Sequence, residues 1–124
     1  MLNNILKVYG EDLINGSIAA STISSAQVVA AGTTQGALCI NVFALNSVTT
    51  LEDVVITVKH GDTEGGSFSE LLTITIPENK TYAEGSLIDT VILPENTKAF
   101  VMATAVSDAT NTGKIRVTLG YLAR

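Results

Sequence analysis

His60 and Cys39 are the two side chains in this sequence best suited to nucleophilic or acid–base work, and each residue type occurs once. A Cys/His or Ser/His site needs its nucleophile and base within hydrogen-bond reach. Here the two fall on different expected strands, and no Gly-x-Ser-x-Gly elbow accompanies either. His60 is expected to face solvent at a strand end, and Cys39 to be a buried structural thiol. Together they fall short of the four ligands that zinc takes. Asp62-Thr63-Glu64-Gly65 sets two carboxylates two residues apart before a glycine. The stretch lacks the third oxygen position and the distal Glu of an EF-hand loop, so it reads as a charged turn. Glu11-Asp12 and Glu52-Asp53 are adjacent in sequence rather than facing. The sequence therefore points to no catalytic residue, no metal site and no cofactor.

Six aromatic residues are available to bind a sugar: Tyr9, Phe43, Phe68, Tyr82, Phe100 and Tyr121, with no Trp. Phe43, Phe100 and Tyr121 lie in apolar strands and are expected in the core. Tyr82 and Phe68 are the two expected to be able to face out.

The element that positions His60 and the acidic turn is the stretch from Leu51 to Ile76. Val54, Ile56 and Val58 alternate with Val55, Thr57 and Lys59. After the glycine-rich turn at Gly61–Ser67, Leu72, Ile74 and Ile76 alternate with Thr73 and Thr75. Period-two alternation puts one apolar face on each half, which predicts a long β-hairpin. Ala37–Leu45 is almost continuously apolar and reads as a central strand buried on both faces. Short strands are also expected near Ala26–Ala31, over Ser86–Leu93, over Ala99–Val106 and at the alternating Ile115–Tyr121 end. Pro77 and Pro94 each stop a strand, since proline cannot donate to a ladder. No convincing long helix interrupts this succession. The expected fold is all-β: a single antiparallel β-sandwich, jelly-roll-like, spanning residues 21–124.

Residues 1–20 read differently. Leu2, Ile5, Leu6, Val8 and Tyr9 are expected to contact a neighbouring chain as an N-terminal arm, with a short helical turn possible. A strand or turn packed on the chain's own domain is the competing expectation.

The totals restrict the function class. The chain has 124 residues, enough for one domain. Charged residues make up 15% against 46% hydrophobic, and ordinary soluble domains carry about 25% charged. That shortfall predicts surface covered by another chain. The net charge of −5 with singly scattered Lys and Arg argues against nucleic-acid binding. No run of about 18 apolar residues exists to span a membrane. The N-terminus lacks the pattern of a secretory signal, so synthesis and retention in a cytoplasm-like compartment are expected.

Val58-Lys59-His60-Gly61-Asp62 with Ser67-Phe68-Ser69-Glu70-Leu71 resembles the central hairpin of the small capsid cement (decoration) proteins of tailed bacteriophages. Leu93-Pro94-Glu95-Asn96-Thr97-Lys98-Ala99-Phe100 is similar to that family's Leu-Pro turn into an aromatic-bearing strand. Asn111-Thr112-Gly113-Lys114-Ile115-Arg116-Val117 resembles its closing strand, and Ser21-Thr22-Ile23-Ser24-Ser25 its early Ser/Thr-rich entry. The likeness spans about residues 20–122. It implies a jelly-roll-like sandwich made in the bacterial host cytoplasm and seated on the capsid exterior of the virion. The implied partners are the major capsid protein and the chain itself, as a homodimer or homotrimer. The alternative is a β-sandwich recognition module binding a glycan or receptor on a virion or cell surface. A head-fibre base or tail component is a third expectation.

Overall fold

The computed structural model describes residues 7–24, 27–30, 37–94 and 96–122. All regular structure among these residues is strand, and the strands pair antiparallel. In order they are β1 (Lys7–Ser17), β2 (Thr22–Ile23), β3 (Val29–Ala30), β4 (Ala37–Ala44), β5 (Val48–Thr50), β6 (Val54–Gly61), β7 (Ser69–Ile76), β8 (Lys80–Tyr82), β9 (Leu87–Ile92), β10 (Phe100–Val106) and β11 (Lys114–Leu122). One sheet has the order β1-β11-β4-β9. The second has β2-β10-β6-β7, with β3 on the same side of β10 as β2. A small ribbon of β5 and β8 joins them at one end. No helix among the described residues is long and apolar enough to cross a membrane.

The expected hairpin is β6–β7, with Val54 opposite Ile76, Ile56 opposite Ile74 and Val58 opposite Leu72. Val54, Ile56, Val58, Ile74 and Ile76 are buried, as the alternation requires. They meet Ile40, Val42, Ile115, Val117 and Leu119 of the other sheet in one core, completed by Val101, Ala103 and Ala105 of β10. A register shift beside Val58 leaves Leu71 as an extra residue on β7, a bulge that bends the strand end.

Residues 7–17 are not an arm. They form β1, an edge strand of the domain's own sheet, paired with β11 from Lys7–Leu122 to Ser17–Lys114. Two register shifts near Asp12 break the alternation, and the adjacent Leu13 and Ile14 are both fully buried. Bulging explains this, because it turns consecutive side chains out of strict opposition. β1 also touches β10, β2 and β3 across the sandwich, leaving β7 and β9 at the opposite flank.

Three aromatic expectations are corrected. Phe43 and Phe100 are half-buried and lie on the outer faces, because they alternate with the inward-facing Val42, Ala44 and Val101. Tyr82 packs against the core instead: it stands opposite the fully buried Val48 and shares that residue's face. The side chain of Tyr121 lies outside the described residues.

Loops are held by side chains that accept backbone donors. Asn111 is fully buried, and its Oδ1 accepts the N–H groups of Leu51 and Glu52 at 2.8 and 3.0 Å. Its Nδ2 donates to Ser107 Oγ, whose hydroxyl in turn donates to the Ile18 carbonyl. Thr50 Oγ1 donates to the Pro77 carbonyl and accepts from the Lys80 N–H, which fixes the first proline turn.

Candidate partner-binding face

The sequence-singled residues do not assemble into a reactive centre. Cys39 is buried on β4 and His60 on β6, in different sheets. His60 is only 7% exposed, contrary to the solvent-facing expectation, because it shares the inward parity of Val54, Ile56 and Val58. Its Nδ1 accepts the Lys98 N–H at 3.1 Å, a packing role that ties the second proline turn to the hairpin. Asp62 and Glu64 are exposed, and Asp62 meets Lys98 at 3.8 Å. No group of three or more His, Cys, Asp or Glu side chains close enough to hold a metal ion is found among the described residues.

What the sheet β1-β11-β4-β9 does create is an ordered outer face. Cross-strand register lays three rows over it: Asn15, Arg116, Phe43 and Leu87; Asp12, Thr118, Asn41 and Thr90; and the positions Tyr9, Gly120, Cys39 and Ile92. Paired residues of antiparallel strands share a face, so each row lies on the side away from the core. The middle is buried and polar. Cys39, Asn41 and Thr118 are fully buried, Thr90 Oγ1 donates to Asn41 Oδ1 at 2.7 Å, and Thr118 Oγ1 has no hydrogen-bond partner among the described residues.

Toward β1 the face is charged. Arg116 Nε donates to Asp12 Oδ1, while Asp12 Oδ2 accepts from Asn15 Nδ2 at 2.9 Å. Burial on its own raises the Asp12 pKa, but the hydrogen bonds from Asn15 and Arg116, with the Arg116 charge, outweigh it. The carboxyl therefore sits below the ordinary aspartate value.

Toward β9 the face is apolar and open. Leu87 is 45% exposed and Ile92 58%, and Leu45 at 36% follows the end of β4. Phe43, Ala44, Leu45, Glu84, Gly85 and Arg116 line a cleft of about 340 Å³ at this corner. Gly85 turns there with a φ of 82°, and its N–H donates to the Ala44 carbonyl at 2.7 Å. An apolar wall beside one guanidinium suits a protruding apolar side chain flanked by a carboxylate or carbonyl.

Comparison with protein-family models, curated proteins and solved structures finds no match.

Of the residues expected to bind a partner, Leu2, Ile5 and Leu6 lie outside the described residues. Val8 and Tyr9 are in β1, opposite Tyr121 and Gly120, and their side chains are likewise not described. The Leu45–Leu87–Ile92 rim escaped the sequence reading, because each residue sits in an apolar run indistinguishable from core. The available signal was parity: Phe43 and Leu45 alternate against Val42 and Ala44.

Proposed function

We propose that this protein is a capsid cement (decoration) protein, a structural virion component that binds the outside of an assembled phage head. It would clamp neighbouring copies of the major capsid protein, with the jelly-roll-like topology and homo-oligomeric state its sequence resemblance implies. The observation that carries the proposal is the exposed apolar pair Leu45 and Leu87 beside the Phe43–Arg116 cleft, with the exposed Ile92 further along β9 on the same sheet face. Covering a half-exposed Leu or Ile side chain stabilises a complex by about 1 kcal/mol. One such rim binds weakly, whereas an oligomer presenting several rims to a symmetric lattice binds through their product. A subunit that binds the assembled lattice and not its separated parts stabilises the lattice by mass action, with no chemistry required. The acidic balance of −5 keeps it off packaged DNA.

Capsids assembled with and without the chain test this reading through their rupture temperature. Decorated particles are expected to survive several degrees more heating, and equal rupture temperatures refute the proposal.

A further inference from the structure

β9 is an edge strand whose sequence carries neither Lys nor Pro, two common means of protecting an edge. Its ladder contact with β4 fixes which groups point outward. The Leu93 N–H donates to the Leu38 carbonyl, and pairing alternates along the strand, so Val91 and Asp89 turn their backbone groups toward β4. Ile92 and Thr90 therefore turn theirs toward the open edge.

The outward side chains are symmetric about the middle of that edge. Cys39, Asn41 and Phe43 stand at regular two-residue steps on β4, and opposite them are Ile92, Thr90 and Leu87, evened out by a register shift beside Val42. A second β9 run antiparallel about Thr90 sets Leu87 of each copy against Ile92 of the other. Both ends of the row are among the most exposed large apolar residues of the described chain. The edge thus fits a second copy of itself.

One group closes it. Asp89 Oδ1 accepts the Thr90 N–H at 2.8 Å, the central donor such a pairing needs. Asp89 also stands opposite the core residue Val42, on the face that a continued sheet would bury. Pairing across β9 must both take that donor from the carboxylate and desolvate the charge, and a buried unpaired carboxylate is costly.

We propose that Asp89 is an edge guard, whose carboxylate keeps β9 from pairing with the β9 of a second copy of this chain. The inference concerns the free protein and stands apart from the capsid reading. Asp89→Ala and Asp89→Val remove the guard, and the valine variant suits the inward, strand-forming position should alanine fold poorly. In light scattering over a range of concentrations, either folded variant is expected to show about twice the mass of the wild-type protein. Adding Ile92→Lys, which sets a charge into the new contact, is expected to restore the wild-type mass. Folded guard variants that keep the wild-type mass at every concentration overturn the proposal, as does association that persists with Ile92→Lys.

Discussion

The Asp12 carboxylate and the Arg116 guanidinium meet across the β1–β11 pair, on the sheet face that also carries the apolar cleft. The contact ties the N-terminal edge strand to the strand beside it. Because the folded state lowers the Asp12 pKa, the stabilisation is fully present well above the ordinary value of 3.8 and is lost as the pH falls through the lower folded value. Asp12→Asn is expected to cost about 0.2–1 kcal/mol at neutral pH, the range for an ion pair that keeps partial access to solvent. It should also flatten the loss of stability below pH 4, measured by denaturant melts at a series of pH values.

Thr118→Val tests the hydroxyl in the middle of the same face, which has no partner among the described residues. Replacing a buried, unsatisfied Oγ1 by a methyl of similar shape removes a desolvation penalty of about 1–3 kcal/mol. The expected outcome is a raised melting temperature, which is unusual for a substitution at a fully buried site.

Asn111→Ala removes the acceptor shared by Leu51 and Glu52 and the donor to Ser107. A loss of about 1–3 kcal/mol is expected from the stranded backbone donors. The readout is a lowered urea midpoint with an unchanged slope, which locates the effect in stability rather than in compactness.

Gly113 and Gly85 separate two kinds of glycine requirement. Both have positive φ, but a Cβ on Gly113 comes within 2.6 Å of the Ser47 carbonyl, whereas Gly85 meets nothing within 4 Å. Gly85→Ala is expected to cost about 1 kcal/mol from the backbone conformation alone. Gly113→Ala costs clearly more, since the β11 entry must also move away from Ser47 and Val48. Paired thermal melts of the two variants check the order.

The hairpin was legible because Val54–Lys59 and Leu72–Ile76 alternate without interruption, and β4 because its apolar run stands out, with Cys39, Ile40, Asn41 and Val42 fully buried and Phe43 half-buried. β1 was not legible as a strand. Its bulges place Leu13 and Ile14 inward together, so no period of two survives there. Parity along β6 already pointed His60 inward, but its chemistry and its place at the turn suggested solvent. Tyr82 depended on a three-residue pairing with β5 that no local pattern announces. The apolar rim is legible only after register has assigned Leu87 and Ile92 to the outer face, since composition alone makes them core. The three-row face is a product of pairing between distant segments, from Asp12 to Arg116 and from Phe43 to Leu87.

The most direct test of the account is co-sedimentation with phage capsids assembled without this chain, comparing the wild-type protein with Leu45→Lys/Leu87→Lys. Two charges beside the Phe43–Arg116 cleft should leave the core untouched, since both side chains are exposed. The account predicts saturable binding by the wild type and at least about tenfold weaker binding by the folded double variant, about 1.4 kcal/mol or more. Wild-type protein that stays in the supernatant, or a variant that binds equally well, contradicts it.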